Sequence, residues 1–335
     1  ELNLLACDVR KMELTTGQRN ILESLHMRVL PFIMRREKGD VLKDLPPKII
    51  QDRECEMTTI QTKLYEFYEL EEGAAFRDAI ARKTNEQLTD QESSKAKGEG
   101  EVSKPRVGGE GAAVIVEEPV AQRNFLGVLS KLLKVLSHPA FVLDSMDKKT
   151  QQRLLSPELL QNYKDYSSSG KYIALRDLLV ELGFSEDDRS CNLLCPNKLL
   201  IFTRSLKNFE LLEQFFRDIF PTLSVLSMKP SQSPLERSNT VDLFNRSPEI
   251  KILILTAKIG GLGLNLQCAN VVVMFDHDFN PSNDTQAIDR AHRLGQTKVV
   301  NVYRLVMKDT LEEKIMGIQR FKTAVSNTVV NADNA

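Results

Sequence analysis

From residue 169 onward, short apolar runs alternate with longer amphipathic stretches, and this alternation limits the possible fold more than any other feature. The apolar runs have the length of buried strands, and the stretches between them have helical spacing of apolar residues. Strands are predicted at residues 198–203, 223–226, 250–256, 271–276 and 299–306, and helices at 171–182, 206–220, 235–244, 284–293 and from 311. Strands separated by helices favour a parallel sheet covered on both faces, with right-handed crossovers. The predicted fold class is therefore α/β, with a doubly wound parallel sheet.

The strand predicted at residues 250–256 runs into a glycine-rich segment. This segment contains Gly260, Gly261 and Gly263, and glycine allows a backbone to approach a ligand closely. In an open α/β sheet, ligands collect beyond the carboxyl ends of the strands. We therefore predict a ligand site around this segment.

Two arginines and a glutamine follow in the helix predicted at residues 284–293. Arg290 and Arg293 are three residues apart and Gln286 lies a turn earlier, so a helix would place all three donors on one face. Arginine carries a planar, permanently charged group that can bind two phosphate oxygens at once. The pattern predicts a phosphate-binding surface.

The composition is that of a globular protein with one large domain or two smaller ones. The chain has 335 residues, of which 41% are hydrophobic and 27% are charged, and its formal net charge is −1. No signal peptide or transmembrane helix is predicted, so we expect an intracellular protein. The balanced charge lacks the global basic excess of many nucleic-acid binders, although a motor protein can concentrate positive charge in one cleft.

Five cysteines lie at scattered positions, which favours reduced thiols over a disulfide framework. Cys191 and Cys195 have the spacing of half a zinc site, but no second pair of Cys or His residues stands near them in the sequence. No metal site is predicted in this chain.

The glycine segment and the arginine segment together carry a resemblance to a known family. The sequence reads Thr-x-x-x-Gly-Gly-x-Gly-x-Asn-Leu from Thr256, and Asp-x-Gln-Ala-x-Asp-Arg-Ala-His-Arg-x-Gly-Gln from Asp284. These runs resemble motifs V and VI of the Swi/Snf-type DNA-translocating ATPases of helicase superfamily two. The resemblance implies the second RecA-like lobe of such a motor, and it covers nearly the whole chain outside residues 90–118.

The resemblance implies two sets of contacts. Arg290 and Arg293 match the arginine fingers that stabilise charge developing on the γ-phosphate of ATP. The other positions implied on the nucleotide side are Gly261, Gly263, Asn265 and Gln286. The positions implied to face double-stranded DNA are Thr203, Thr256, Lys258, Gly260 and Phe279, together with Arg35 and Arg36 in a segment similar to the link between the two motor lobes.

Three segments depart from the family pattern. Residues 229–231 read Lys-Pro-Ser in place of the usual Asp-Gly-Ser, and Thr203-Arg204 stands where Ser or Cys and then Gln are common. Phe279 replaces the Trp of His-Asp-Trp-Asn-Pro, which keeps an aromatic ring for stacking and loses the indole donor. The DNA contacts of the first two segments stay open.

A complete motor of this family needs a first RecA-like lobe with a phosphate loop and an acidic Mg²⁺-binding motif. Neither is present, and the nearest approach, Ser169-Gly170-Lys171-Tyr172, has Tyr where the metal-ligating hydroxyl belongs. We interpret this run as the start of a helix. The chain is therefore expected to be part of a longer polypeptide, with the ligands of ATP and Mg²⁺ mainly on the other lobe, and to be inactive alone.

Composition and resemblance divide the chain into four parts. Residues 1–52 resemble the end of the first lobe and the inter-lobe linker, and residues 53–168 resemble a helical protrusion. Within the protrusion, residues 90–118 are rich in Gly, Ser, Lys and Glu and lack aromatic residues, so a flexible loop is predicted. Residues 169–308 are assigned to the RecA-like lobe, and residues 309–335 to a C-terminal brace helix.

The C-terminal tail carries a narrower resemblance. It contains Gly-x-Gln-x-Phe-Lys from Gly317 and Ser-Asn-Thr-Val-Val from Ser326, and it looks most like the modifier-of-transcription remodellers, which use ATP to strip the TATA-box-binding protein from promoter DNA. The implied partners are double-stranded DNA, a first RecA-like lobe of the same polypeptide, and the TATA-box-binding protein through parts outside this chain. The resemblance also implies a nuclear location and no membrane partner.

Two alternatives remain open. A nucleosome-remodelling or recombination-type translocase would share the same motor residues. A non-catalytic DNA clamp would keep the fold without the activity, although the presence of both Arg290 and Arg293 argues against it.

Overall fold

The computed structural model describes residues 45–72, 120–257 and 264–330, which contain one sheet of six parallel strands. The strands are β1 (Lys48–Cys55), β2 (Leu199–Thr203), β3 (Ser224–Met228), β4 (Ile250–Thr256), β5 (Val271–Met274) and β6 (Val300–Met307). Their spatial order is β1-β6-β5-β2-β4-β3.

Helices lie between these strands in the sequence, and one more follows the last strand. They are α1 (Thr59–Phe67), α2 (Val120–Ser137), α3 (Ala140–Leu143), α4 (Lys148–Leu154), α5 (Pro157–Gln161), α6 (Gly170–Glu181), α7 (Arg189–Leu194), α8 (Leu206–Ile219), α9 (Pro234–Arg246), α10 (Pro281–Ile288) and α11 (Leu311–Val330). A π-helical turn spans Tyr68–Glu72, and a 3₁₀ turn spans Tyr166–Ser168.

Helices cover both faces of the sheet, and two clusters of buried side chains fill the layers between them. In β2, Leu199 and Ile201 belong to one cluster, whereas Leu200 and Phe202 belong to the other. This alternation follows from the two-residue period of a strand, and burial on both faces explains why the strand is a continuous apolar run. The predicted doubly wound α/β fold is confirmed.

The sequence pattern does not predict β1. Its side chains are mostly exposed, yet it pairs with β6 along its whole length, from Lys48 opposite Val300 to Cys55 opposite Met307. An edge strand of this kind is held by backbone hydrogen bonds to one neighbour, so it needs no continuous apolar run. The sheet therefore includes residues on both sides of residue 52, where the sequence places a domain boundary.

The helical spacing of apolar residues predicts a long helix over residues 58–87. The structure confirms the start of this helix. Thr58 and Gln61 form a reciprocal capping box at the beginning of α1. The α-helix gives way to the π-helical turn at Tyr68. The rest of the predicted helix and the loop predicted at residues 90–118 lie outside the described residues.

Candidate functional site

A cleft of about 570 Å³ lies between α2 and the carboxyl ends of β2, β4 and β5. The structure brings three predicted site residues together here, namely Thr256, Phe279 and Gln286. This is the edge at which parallel α/β sheets bind ligands. Charged and polar side chains that also line the cleft include Lys134, Ser137, Arg204, Asp276 and Glu312.

Asp276, which follows β5, organises the bottom of this cleft. Its carboxylate accepts hydrogen bonds from the Thr203 hydroxyl at 2.6 Å, from the Arg204 backbone N–H at 3.0 Å and from the Asn208 side chain at 3.1 Å. Its other oxygen lies 3.8 Å from the Lys171 ammonium. Burial acts to raise the pKa of Asp276, but the Lys171 charge and these hydrogen bonds hold the pKa below its usual value. The cleft therefore contains a carboxylate that stays ionised.

Lys171 is the counterion of this carboxylate, and its side chain is fully buried at the start of α6. The ammonium donates to the Phe275 carbonyl at 2.7 Å and to Glu312 Oε1 at 2.5 Å. The other oxygen of Glu312 accepts from the Met307 N–H at 3.0 Å. Lys171, Asp276 and Glu312 thus form a buried ionic group, here called the cleft floor, that joins α6 and α11 to the end of β5.

The same contacts confirm that Ser169-Gly170-Lys171 is the start of a helix and not a phosphate loop. The Lys171 amine is directed into the core. Gly170 packs so closely against the chain that an added Cβ would lie 1.9 Å from the Glu56 carbonyl oxygen. This segment therefore has no room for a phosphate group.

Thr203 and its neighbour Arg204 are placed differently from what the sequence suggests. Thr203, a predicted DNA contact, is fully buried, and its hydroxyl is bonded to Asp276. Arg204 is exposed, donates through Nη1 to the His277 carbonyl at 3.1 Å and lies 6.0 Å from the centroid of the Phe279 ring. The residue that departs from the family pattern therefore brings positive charge to this edge of the sheet.

Thr256 is the last residue of β4, and it is 4% exposed in the wall of the cleft. Its hydroxyl has no hydrogen-bond partner within the described part of the chain. A buried hydroxyl without a partner costs free energy, which a ligand oxygen would recover by bonding to it. The side chain is therefore suited to bind a ligand.

The helix predicted over residues 284–293 is displaced toward the N-terminus. It begins at Pro281, because the Asn280 side chain accepts a hydrogen bond from the Ser282 N–H and proline fits the first helical position. It ends at Ile288. The prediction that Gln286 and both arginines share one helical face is therefore wrong, since the arginines lie beyond the end of α10.

Residues 289–296, here called the arginine turn, form a succession of tight turns. The Arg290 N–H donates to the Ala287 carbonyl, and the Arg293 N–H donates to the Ala291 carbonyl, both at 3.2 Å. Gly295 then adopts a φ of 97°, a left-handed conformation that favours glycine. The backbone of both arginines is thus set by turns and not by a regular helix.

Gln296 anchors the end of the arginine turn, a role that the sequence analysis missed. The residue is 6% exposed, and its side-chain oxygen accepts from the N–H groups of Thr297 and Lys298 at 3.0 and 2.9 Å. Its side-chain nitrogen donates to the carbonyls of Gln267, Ala269 and Ala291. The signal was its position as the last residue of the family motif, because a glutamine held at the end of a turn can bond several backbone groups at once.

The arginine turn lies near the amino end of β1, whereas the cleft lies at the carboxyl ends of β2, β4 and β5. Asp289 forms an ion pair of 3.7 Å with Lys48, the first residue of β1, and His292 Nε2 donates to the carbonyl of Pro46 at 2.8 Å. Arg293 is exposed and Arg290 is half-buried. Among the described residues that line the cleft, Gln286 is present and the two arginines are absent. The structure therefore separates Gln286 from Arg290 and Arg293, with which the sequence grouped it.

Six predicted contacts lie outside the described residues: Arg35, Arg36, Lys258, Gly260, Gly261 and Gly263. Asn265, which follows the undescribed part of the glycine segment, is exposed. Its carbonyl accepts a hydrogen bond from the Asn245 side chain at 3.0 Å, so α9 supports this end of the segment.

Within residues 45–72, 120–257 and 264–330, no group of three or more His, Cys, Asp or Glu side chains is arranged to hold a metal ion. Cys191 is exposed and Cys195 is buried, and both are free thiols. No helix in this part of the chain is both long enough and apolar enough to cross a membrane.

Two protein-family models match the chain. The helicase conserved C-terminal domain matches residues 175–295, and the SNF2-related domain matches residues 7–101. The first match contains β2 to β5, the cleft walls that follow them and most of the arginine turn. The second contains β1 and α1.

Named relatives are similar over most of this chain. TATA-binding protein-associated factor BTAF1 of Arabidopsis thaliana is 36% identical over 324 residues, which cover 94% of this chain and 15% of the relative. TATA-binding protein-associated factor MOT1 of Saccharomyces cerevisiae is 36% identical over 330 residues, which cover 94% of this chain and 16% of the relative. ATP-dependent helicase FUN30 of the same yeast is 31% identical over 322 residues, with 89% and 27% covered. The chain thus spans less than a fifth of the first two relatives.

Solved structures share the fold. The C-terminal part of the Fun30 ATPase domain superposes with a TM-score of 0.55 and 23% identity, covering 85% of this chain and 97% of that one. The Sulfolobus solfataricus SWI2/SNF2 ATPase core in complex with double-stranded DNA gives a TM-score of 0.55 and 24% identity, covering 92% of this chain and 53% of that one. The sheet and its helices therefore form a RecA-like lobe of the Snf2 type.

Proposed function

This chain belongs to the Swi/Snf-type ATPase family, and we propose that it forms the C-terminal RecA-like lobe of a double-stranded-DNA translocase. The polypeptide that carries this chain together with a first RecA-like lobe is called the two-lobe protein below. The observation that carries the proposal is the separation of two surfaces on one lobe. The cleft offers the Arg204 guanidinium, the Phe279 ring and the Thr256 hydroxyl, which has no hydrogen-bond partner among the described residues. The arginine turn, near the amino end of β1, offers two further guanidinium groups.

We assign the arginine turn to ATP. Arg290 and Arg293 carry permanent charge on a backbone that is fixed by Gly295 and Gln296. Such groups fit the oxygens of a γ-phosphate and stabilise the charge that develops there during transfer. Gly261, Gly263 and Asn265 are proposed to shape the same nucleotide site. Bound Mg²⁺ would neutralise phosphate charge, and we assign its ligands to the first lobe.

We assign the cleft to the DNA backbone. Thr256 and Arg204 would bind phosphate oxygens, and Phe279 would pack against the sugar or base beside them. The other positions proposed from the family resemblance are Lys258, Gly260, Arg35 and Arg36. Phosphate contacts of this kind bind DNA without reading its sequence. Thr203 is proposed to act through the buried carboxylate of Asp276 and not by direct contact.

Gln286 lies in the cleft on α10, and α10 leads directly into the arginine turn. The family resemblance implied a nucleotide-side role for this residue, and Gln286 lines the cleft together with Thr256 and Phe279. We propose that Gln286 links the two surfaces, so that DNA in the cleft changes the orientation of the segment that carries the arginines.

We further propose that the two-lobe protein removes the TATA-box-binding protein from promoter DNA in the nucleus. Two relatives that are 36% identical are named as factors associated with that protein, and the tail of this chain resembles the same group. Contact with the TATA-box-binding protein would use parts outside this chain. ATP-dependent helicase FUN30 is also similar, at 31% identity, and the second candidate is a nucleosome-remodelling or recombination-type translocase, which would share the same motor residues. ATP-dependent release of the TATA-box-binding protein with histone octamers left in place supports the first candidate, and the reverse result supports the second.

The arginine assignment is tested by Arg290→Ala and Arg293→Ala in the two-lobe protein. Each change should lower DNA-stimulated kcat by roughly 10³-fold, as for other arginine fingers, with a much smaller effect on nucleotide binding. The control Arg217→Ala removes an exposed arginine of α8 and should leave kcat unchanged. Turnover within a few-fold of wild type in folded Arg293→Ala protein would refute the assignment. The 335-residue chain alone should hydrolyse no ATP above background.

A further inference from the structure

The C-terminal helix α11 reaches back to the turn that leads into α10. Gln319 on this helix is 5% exposed, and its side-chain amide donates to the Asp278 carbonyl and to Asp284 Oδ2, the latter at 2.8 Å. Three residues further along, the Lys322 ammonium donates to the Phe279 carbonyl at 3.2 Å. Two side chains of α11 therefore hold two consecutive carbonyls of this turn.

Asp284 depends on the contact with Gln319. Its carboxylate is buried, and Oδ1 has no hydrogen-bond partner within the described part of the chain. The other oxygen receives the Gln319 amide and, at 3.5 Å, the Asp278 N–H. Burial raises the pKa of Asp284 above its usual value, and the Gln319 hydrogen bond acts against that rise. A buried carboxylate with so few donors is strongly affected by the loss of any one of them.

Asp284 is also the main polar anchor of α10. The helix has eight residues, and only Asp284, Ala287 and Ile288 are buried in it. Gln286 lies on the same helix and lines the cleft, and the chain then enters the arginine turn directly. A small rotation of α10 would therefore change the orientation of Gln286 and of both arginines together.

We propose that Gln319 is a positioning residue for ATP hydrolysis, which holds Asp284 and thereby orients α10 and the arginine turn. The C-terminal helix is then part of the machinery that sets turnover, and not only a brace on the outside of the lobe. This inference rests on the proposed role of Arg290 and Arg293 in binding the γ-phosphate.

The test compares Gln319→Met with Arg320→Met in the two-lobe protein. Methionine keeps the length and helix propensity of glutamine and removes the amide, whereas Arg320 is exposed on the same helix and forms a 3.6 Å ion pair with Asp52. Displacement of a catalytic segment by about 1 Å can cost up to about 10²-fold in rate, and we expect kcat to fall about tenfold for Gln319→Met. The KM for ATP and the kcat of Arg320→Met should stay within about twofold of wild type.

A second background separates positioning from plain stability. In protein that carries both Arg290→Ala and Arg293→Ala, Gln319→Met should change the residual kcat by less than about twofold, because both guanidinium groups that it orients are already gone. Equal losses in both backgrounds, or wild-type turnover of Gln319→Met, would overturn the proposal while leaving the arginine assignment intact. Wild-type turnover of Arg293→Ala alone would instead overturn the proposed function, and this inference with it.

Amide hydrogen exchange in the 335-residue chain gives a readout that does not require turnover. Gln319→Met should speed exchange in residues 284–296 and leave β4 unchanged, and Arg320→Met should do neither. If Gln319→Met is too unstable for the assay, Gln319→Asn serves in its place, because its shorter amide cannot reach both acceptors. Unchanged exchange in residues 284–296 for a folded Gln319 variant would contradict the proposal.

Discussion

The cleft floor and the arginine turn hold charged side chains in two different ways. In the cleft floor, the ammonium and the two carboxylates are buried and compensate one another, with Lys171 at 2.5 Å from Glu312 and 3.8 Å from Asp276. In the arginine turn, Arg293 is exposed and Arg290 is half-buried, and the rigidity comes from backbone turns and the amide of a neighbouring glutamine.

Under the proposed function, the difference separates a group of charges that stabilises the lobe from a group of charges that binds phosphate. A buried charge needs a partner at all times, because an unpaired one is strongly destabilising. A charge that must reach a phosphate has to stay accessible while its backbone is held in place by other contacts. The cleft floor meets the first requirement, and the arginine turn meets the second.

Lys171→Met should produce the largest loss of stability. The change leaves Glu312 and Asp276 buried without their counterion, which typically costs about 3–5 kcal/mol. The matched control is Arg176→Met on the same helix, which removes an ion pair to Glu186 of 2.5 Å whose arginine is exposed, and surface pairs contribute little. Urea unfolding of the chain measures both variants, and similar losses would break the distinction between the cleft floor and the surface.

Acid should lower the free energy of unfolding through His138, which lies beside the cleft. This ring packs 5.6 Å from the Tyr172 ring and beside Phe141 of the cleft, and burial lowers its pKa from 6.5 to about 4. The unfolded chain takes up a proton below about pH 6.5 and the folded chain does not, so stability should fall by up to about 3 kcal/mol as pH drops toward 4.

His138→Gln should flatten this part of the curve of unfolding free energy against pH. Glutamine has no titrating group, so the loss of stability linked to protonation of His138 disappears even if the variant is less stable at pH 7. Unfolding in urea at several pH values between 4 and 7 provides the measurement. An unchanged slope in the variant would show that another group carries the acid sensitivity.

Gly295→Ala tests how the arginine turn is held. Alanine in a left-handed conformation should cost about 1–2 kcal/mol, and Gly183→Ala is the control because its φ of 89° is similar. The added Cβ at Gly295 would lie 2.6 Å from Gln267 Oε1 at the end of a long side chain, and that at Gly183 would lie 3.8 Å from Cys195 Sγ. The two variants should lose nearly equal stability, whereas only Gly295→Ala should lower the ATPase turnover of the two-lobe protein. Equal turnover of the two variants would contradict the role of the turn.

Thr256→Val should have the smallest effect on stability and the clearest effect on DNA binding. Removing a buried hydroxyl that has no hydrogen-bond partner in the described ranges should change stability by no more than about 1 kcal/mol, with a gain favoured. Thr203→Val is the control, because its hydroxyl bonds to Asp276 at 2.6 Å and its loss should be destabilising. DNA affinity should fall for Thr256→Val, and unchanged affinity in that variant would remove this hydroxyl from the proposed DNA surface.

Some elements could be predicted closely because their signal is local. β4 is observed at residues 250–256, as predicted, since a run buried on both faces must be apolar at every position. α6, α8 and α9 are observed within two residues of their predicted bounds. β1 escaped prediction because an edge strand with exposed side chains depends on β6, which is some 250 residues away.

The candidate site, too, could be predicted in part from the sequence. The family resemblance assigned Thr256 and Phe279 to DNA and Gln286 to the nucleotide, and the structure brings all three to one cleft. The sequence did not indicate that Thr203 would be buried while its neighbour Arg204 is exposed. Residue type alone does not reveal this, because the Thr203 hydroxyl is held by the Asp276 carboxylate and the Arg204 guanidinium by the His277 carbonyl, both more than 70 residues further along the chain.

The sequence by itself determined the alternation of strands and helices, the parallel sheet and the motifs that identify the family. Only the tertiary structure decided that α10 ends before its arginines, that Lys171 lies in an ionic group with a residue 141 positions away, and that Gln319 supports Asp284. The physical reason is range. Strand and helix propensities act over a few neighbouring residues, whereas a buried charge or amide must be satisfied by whichever partner the fold brings within hydrogen-bond distance, however distant in sequence.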